Sequence, residues 1–103
     1  MARPPYRGRL HYFIGSTTRA LVIERLVKHP ENEPYLRELA RDISAGLGAL
    51  HREVTELERI GLVRSRVRDG RRYYSFDTAH PLGESLCALV AACDELDRRE
   101  RAT

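Results

Sequence analysis

Apolar residues recur at spacings of three and four in the middle of the chain, which predicts two helices separated by a turn. The first helix carries Leu36, Leu39, Ala40 and Ile43, and the second carries Leu47, Leu50, Val54, Leu57 and Ile60. Between them lies Ser44-Ala45-Gly46, which has the composition of a turn. The pattern therefore predicts a helix-turn-helix whose second helix runs from about Gly46 to Arg59.

A basic β-hairpin is predicted directly after this pair of helices. Gly61 ends the second helix, since glycine tolerates the left-handed conformation of a helix C-terminus. Two strand-like runs, 62–68 and 71–76, then flank Asp69-Gly70, a dipeptide typical of two-residue hairpin turns. Alternation predicts a partly inward face of Val63, Val67, Tyr74 and Phe76, and an opposite face of Arg64, Arg66 and Arg68.

Two further helices are predicted on either side of this unit. Ser16 or Thr17 caps a helix that runs to about His29, where Pro30 ends it. Pro81 suits the first turn of a last helix. That helix carries a heptad-like apolar seam of Leu82, Leu86, Leu89, Cys93 and Leu96. Such a seam pairs either with a second copy of the chain or with the helix's own domain.

Length and charge add the first indication of a partner. A chain of 103 residues is sufficient for one domain with a modest core. The formal net charge is only +3, but five arginines lie between Arg64 and Arg72 against the single acidic Asp69. A locally basic hairpin on a nearly balanced chain is typical of a surface that binds phosphate. With two cysteines, no secretory signal and no membrane span in the sequence, we expect a cytoplasmic protein.

The chain resembles the bacterial and archaeal ArsR-type winged-helix transcriptional regulators. The resemblance covers roughly Ser16 to Leu89 and rests on the order and spacing of three motifs. These are Arg37-Glu38-Leu39-Ala40-Arg41, Leu57-Glu58-Arg59-Ile60-Gly61-Leu62-Val63 and Asp69-Gly70-Arg71-Arg72-Tyr73-Tyr74. The chain departs from the family at Gly46, where a Ser or Thr usually caps the helix that reads DNA. This departure predicts a displaced or mobile start of that helix.

The resemblance implies a mainly α-helical α+β fold, with a winged helix-turn-helix in residues 10–80 and a dimerisation helix with a frayed tail in 81–103. It implies a dimeric DNA-binding repressor with the second helix of the helix-turn-helix in the major groove. The predicted β-hairpin, called the wing in this fold, would contact the flanking phosphates. The predicted DNA contacts are Ser44, Gly48, Ala49, His51, Arg52, Thr55, Arg64, Arg66, Arg68, Arg71 and Arg72. The predicted dimer contacts are Tyr12, Phe13, Leu82, Leu86, Leu89, Cys93 and Leu96.

Two segments at the N-terminus, the basic residues 1–9 and the apolar cluster after them, each allow two interpretations. Residues 1–9, with three arginines, Pro4, Pro5 and Gly8, form either a frayed end or an arm that touches DNA. The apolar cluster of Leu10, Tyr12, Phe13 and Ile14 packs either in the dimer interface, as a comparable segment of the family does, or in the core of its own chain.

Neither a metal nor a cofactor is predicted. The second helix of the helix-turn-helix lacks the Cys-x-Cys pair of the family's metal site. The Asp and His residues near the last helix do not reproduce the spacing of the family's second metal site. Cys87 and Cys93 are about 240° apart around a helix, so they point to different faces. There is no phosphate loop, nucleophile elbow or paired-histidine motif, and no enzymatic activity is expected.

Two alternatives to an ungated DNA-binding regulator remain open. One is a winged-helix module that binds another protein through its last helix; we expect such a module to be monomeric when alone and to ignore duplex DNA. The other is a repressor gated by metal or by cysteine oxidation, whose DNA affinity would change with metal, chelator, oxidant or reductant. The sequence names no operator and no effector.

Overall fold

The protein is described here by a computed structural model, in which residues 9–102 contain five helices and one two-stranded antiparallel sheet. The elements are α1 (Leu10–Ile14), α2 (Thr17–Lys28), α3 (Leu36–Ile43), α4 (Leu47–Arg59), β1 (Val63–Arg68), β2 (Arg71–Phe76) and α5 (Gly83–Ala102). This is the predicted α+β class. Most of the predicted N-terminal arm lies outside the described residues. Its last residue, Arg9, forms an ion pair with Asp97 of α5 at 3.2 Å.

The N-terminal apolar cluster is itself a short helix, α1, which the sequence pattern did not predict. Gly15 ends α1 in the left-handed conformation, at φ 83°. Ser16 then caps α2 as predicted, because its Oγ accepts a hydrogen bond from the Arg19 amide at 3.2 Å. Leu10 is fully buried in the core of its own chain, whereas Tyr12 and Phe13 on the same helix are 75% and 68% exposed.

The turn between α3 and α4 is built by the backbone. Ser44 adopts the left-handed conformation at φ 55°, and the next amide, that of Ala45, donates to the Ala40 carbonyl at 3.0 Å. Gly46 is the N-cap of α4 and makes no side-chain cap. The missing cap was predicted, but the displaced helix start was not correct, because α4 begins at Leu47.

The hairpin has the predicted two-residue turn. Asp69 and Gly70 have φ angles of 52° and 77°, as the favoured type I′ turn requires. The strands pair from Val63 opposite Phe76 to Arg68 opposite Arg71. The predicted inward position of Val67 was wrong: its side chain is 62% exposed, because the hairpin projects beyond the core at that point.

The hairpin is attached to the residues that lead into α3. Tyr35 forms a bridge with Tyr73, and the Tyr74 amide donates to the Pro34 carbonyl at 2.9 Å. The rings of Tyr35 and Tyr73 meet edge to face, with centroids 6.1 Å apart. These contacts fix the orientation of β2 relative to α3, and therefore that of the wing relative to the helix-turn-helix.

The last helix begins later than predicted and packs in part on its own domain. It starts at Gly83, where a Cβ atom would lie 2.8 Å from the Thr78 carbonyl oxygen. Cys93 and Val90 are 4% and 2% exposed and belong to the hydrophobic core. The prediction of Cys93 as a dimer contact is therefore corrected, because almost no surface of this side chain is left for a partner.

The core is otherwise assembled from one face of each helix and the base of the hairpin. Its buried members besides Leu10, Val90 and Cys93 are Ala20, Val22, Ile23, Leu26, Leu39, Ile43, Leu50, Val54, Leu57, Leu62, Val63 and Tyr74. Across residues 9–102, no helix combines the length and the apolar character needed to cross a membrane.

Candidate nucleic-acid interface

The outward face of α4 presents the side chains that were predicted to read DNA. His51, Arg52 and Thr55 are exposed, and their helix is held to the core through Leu50 and Val54 on its opposite face. Ser44 and Gly48 are exposed and Ala49 is half-buried. A Cβ at Gly48 would make only an ordinary contact of 3.9 Å with Arg52, so no neighbour in the described chain requires glycine there.

The wing presents all five of its predicted arginines to solvent, namely Arg64, Arg66, Arg68, Arg71 and Arg72. The guanidinium groups of Arg68 and Arg71 lie 4.5 Å from the ring centroids of Tyr73 and Tyr35, respectively. Such stacking restrains a guanidinium without neutralising it, because the ring carries no net charge. The wing tip is therefore ordered by aromatic contacts that leave its positive charge available.

Two other wing arginines are held by polar contacts. Arg72 donates from Nη1 to the Ser65 hydroxyl at 2.9 Å, and that hydroxyl donates in turn to the carboxylate of Glu58. Arg66 differs from the rest of the wing, because it forms an ion pair with Glu33 at 2.9 Å. Of the five predicted wing contacts, Arg66 is thus the one whose charge is already matched within the described chain.

Arginines without a carboxylate partner are unevenly distributed over residues 9–102. The arginines in ion pairs are Arg9, Arg19, Arg25, Arg59, Arg66, Arg98 and Arg99. Those without one among the described residues are Arg37, Arg41, Arg52, Arg64, Arg68, Arg71, Arg72 and Arg101. Except for Arg101, the second group is confined to the helix-turn-helix and the wing. Unmatched positive charge is therefore concentrated on the elements predicted to bind DNA.

A cleft of about 480 Å³ lies between the helix-turn-helix and the wing. Its basic lining consists of Arg37, His51, Arg71 and Arg72, and its apolar and aromatic lining of Tyr35, Leu36, Leu47 and Tyr74. Neither Arg37 nor Tyr35 was among the site residues predicted from the sequence. The bridge between Tyr35 and Tyr73 brings Tyr35 and the neighbouring Arg37 beside the wing, and the local sequence pattern does not predict that bridge.

Exposed apolar side chains also occur on α1 and at both ends of the predicted seam. Besides Tyr12 and Phe13 on α1, they are Leu82, just before α5, and Leu96 within α5, which are 54% and 44% exposed. Leu86 and Leu89 are half-buried and pack on the core of their own chain. The predicted seam is thus divided: its middle serves the domain itself, and its ends remain open.

Polar groups tie the start of α5 to the end of α4 and the middle of α5 to α2. His80 Nδ1 accepts from the Leu82 amide at 3.0 Å, which leaves Nε2–H to donate to the carbonyl of Ile60, the residue that ends α4. In the middle of α5, Asp94 pairs with Lys28 of α2 at 2.7 Å. The hydrogen bond from Lys28 lowers the pKa of Asp94.

The described residues offer no group of three potential ligand side chains that could hold a metal ion. Burial, and then the charge of Asp97, raise the pKa of the Cys93 thiol, which keeps it in the less reactive neutral form. Cys87 is half-buried, and both cysteines are free.

Comparisons with known proteins give a consistent fold. The chain matches no protein-family model and no curated protein. Among solved structures it is similar to MepR, a transcription regulator of the Staphylococcus aureus multidrug efflux pump MepA, at 17% identity and a TM-score of 0.66, over 91% of this chain and 69% of MepR. It is also similar to reduced HlyU from Vibrio cholerae, at 21% identity and a TM-score of 0.64, over 84% and 83% of the two chains.

A third similar structure is a DNA-binding protein from Sulfolobus solfataricus, at 9% identity and a TM-score of 0.57, over 84% of this chain and 86% of that one. Identities this low establish a shared fold and do not separate one family of regulators from another. The helix-turn-helix, the hairpin and these likenesses together show that the chain has the winged-helix fold found in transcription regulators.

Proposed function

We propose that this protein is a sequence-specific, double-stranded DNA-binding transcription regulator that acts in the cytoplasm as a homodimeric repressor of the ArsR type. The observation that carries the proposal is the confinement of unmatched arginines to the helix-turn-helix and the wing, Arg101 apart, within residues 9–102. A DNA duplex is the partner that such a surface fits, since its phosphates supply the missing negative charge. The ArsR assignment rests on the sequence motifs alone.

The work of binding is divided between two elements. Exposed side chains on the N-terminal half of α4 contact base edges in the major groove, where Arg52 suits the paired acceptors of guanine and His51 or Thr55 a base or phosphate. The wing contacts the flanking sugar-phosphate backbone through Arg68, Arg71 and Arg72, which fixes the register of α4 in the groove.

Dimerisation is supported by the exposed aromatic side chains of α1. Tyr12 and Phe13 are large aromatic side chains, and their exposure on a short helix is typical of an interface core rather than of a solvated surface. A two-fold axis through this surface would present two copies of α4 to half-sites about one helical turn of DNA apart.

The test is a salt titration of binding to random-sequence duplex, with the mass of the protein in solution measured in parallel. The proposal expects a dimer whose logarithmic affinity falls linearly and steeply with the logarithm of salt concentration. It also expects that selection from a random library returns a two-fold symmetric site. A monomer with no affinity for duplex at low salt would contradict the proposal and favour a module that binds another protein.

A further inference from the structure

The cleft between α3, α4 and β2 combines two chemistries in one space. Arg37, in the first turn of α3, and Arg71 and Arg72, at the start of β2, line the cleft together. No aspartate or glutamate lines it, and none of these three arginines has a carboxylate partner within residues 9–102. The cleft therefore suits an anion that can accept from more than one guanidinium.

The remaining lining narrows the choice of anion. Leu36 and Leu47 give the cleft apolar surface, and Leu47 is 38% exposed at its position in the first turn of α4. A free inorganic anion would leave this apolar surface in contact with water. A backbone phosphate is flanked by two deoxyriboses whose carbon atoms can cover it, and a volume of about 480 Å³ accommodates this unit.

Tyr35 positions the Arg71 side chain at the edge of the cleft. Its ring lies 4.5 Å below the Arg71 guanidinium, and its backbone bridge to Tyr73 fixes the ring beside β2. Without this ring, Arg71 would be one exposed side chain among several at a hairpin end. With it, the guanidinium is held where the first turn of α3 meets the wing.

We propose that this cleft binds one DNA backbone phosphate with its two flanking deoxyriboses, that Arg37 contacts this phosphate together with Arg71, and that Tyr35 is a positioning residue for Arg71. The inference rests on the proposed DNA-binding function and makes α3 a direct contributor to it. Arg37 is then a further DNA contact, and the helix-turn-helix and the wing contact the same DNA strand at one phosphate.

The test compares Arg37→Ala with Arg101→Ala, which removes the same charge from an exposed arginine near the end of α5, far in sequence from the cleft. Binding of the full chain to random-sequence duplex is measured over a range of salt concentrations, and melting temperatures verify that both variants fold. We expect Arg37→Ala to lower affinity about three- to tenfold, as the loss of one contact predicts. The salt slope should flatten by about one unit. Arg101→Ala should change neither quantity.

Two further variants test the shared phosphate and the role of the ring. The double variant Arg37→Ala/Arg71→Ala should lose less affinity than the product of the two single losses, because both side chains contact one group. Tyr35→Phe should bind as the unchanged protein does. Tyr35→Leu should weaken binding, and it should have no further effect once Arg71 is alanine.

The outcomes separate this inference from the function on which it rests. If the unchanged protein binds duplex steeply with salt but Arg37→Ala behaves like Arg101→Ala, the cleft proposal is wrong and the proposed function stands. Multiplicative losses in the double variant would show that Arg37 and Arg71 contact different groups. If the unchanged protein binds no duplex, both proposals fail. Binding of inorganic phosphate that is lost in Arg37→Ala, with duplex affinity the same in both proteins, would reassign the cleft to a free anion.

Discussion

The Nε2 atom of His80 lies 3.0 Å from the carbonyl oxygen of Ile60 and joins the end of α4 to the start of α5. The same ring packs on Gly61, where an added Cβ would lie 3.3 Å from His80 Cδ2. Its other nitrogen accepts from the Leu82 amide, so one imidazole ring holds both helix ends. This contact connects the element proposed to read DNA with the element proposed to reach the second subunit.

Replacing His80 by alanine should lower the free energy of unfolding by about 1–2 kcal/mol, since two hydrogen bonds of ordinary strength are lost. The measurement is denaturant unfolding followed by circular dichroism. His29→Ala is the matched control, because His29 is an exposed loop histidine that also precedes a proline. Equal stability of the two variants would show that the His80 contact does not couple the helices.

The double variant Arg71→Ala/Arg72→Ala should weaken binding to every duplex sequence and flatten the salt dependence by about two units, because two phosphate contacts disappear. Arg66→Ala is a useful comparison within the same hairpin. Its charge is already matched by Glu33, so its loss should alter the salt slope less than the loss of either tip arginine. An unchanged slope in the double variant would contradict the assignment of the wing.

Replacing Arg52 by alanine should cost about 1–3 kcal/mol on the selected cognate site and little on random duplex, as expected for contact with a base edge. Arg59→Ala is the control on the same helix, because Arg59 lies at its C-terminal end and pairs with Glu56. Competition binding with both duplexes measures the two costs. An equal loss on cognate and random DNA would identify Arg52 as a phosphate contact.

The double variant Tyr12→Ser/Phe13→Ser should convert the expected dimer into a monomer and lower affinity for a two-fold symmetric site, since the exposed aromatic surface would be lost. Val67→Ser provides the control, as another largely exposed apolar side chain that lies on the wing. Sedimentation equilibrium reports the mass of each variant. A dimer that persists in the Tyr12→Ser/Phe13→Ser variant would place the interface elsewhere.

Asp94→Asn should destabilise the protein at neutral pH by less than about 1 kcal/mol, since the pairs of Asp94 with Lys28 and Arg98 are partly exposed. The pKa of Asp94 is lowered in the folded chain, so its contribution is complete above the unfolded value near 3.9 and is lost as pH falls through the lower folded value. The difference from the unchanged protein should therefore shrink in acid. Unfolding measured from neutral pH to about pH 3 tests this, with the exposed loop substitution Glu31→Gln as control.

Local signals were sufficient for much of the fold. Asp69-Gly70 predicted the hairpin because both residues had to accept positive φ, and Gly61 and Ser16 marked helix ends through equally local chemistry. The five-residue α1 was missed, since it is too short to show a helical period. Alternation failed at Val67 because it describes the pleat of a strand and carries no information on where the core ends.

The candidate site was predictable where it depends on one element and not where it depends on two. The exposed face of α4 and the wing arginines followed from spacing alone. Arg37 and Tyr35 join the wing only through the pairing of Tyr35 with Tyr73, which spans a large separation in sequence. Cys93 matched the heptad pattern of α5, but that pattern does not say whether the apolar face packs on a partner or on its own domain.

The concentration of unpaired arginines in the helix-turn-helix and the wing makes the charge distribution of the molecule asymmetric. Under the proposed function, a duplex at a distance would attract the helix-turn-helix and the wing more strongly than α5, where Arg98 and Arg99 lie close to Asp94 and Glu95. Random collisions would then be biased towards the productive orientation before any contact forms. The arrangement should raise the rate of encounter with DNA at low ionic strength, whereas the contacts of α4 with bases govern how long the complex lasts.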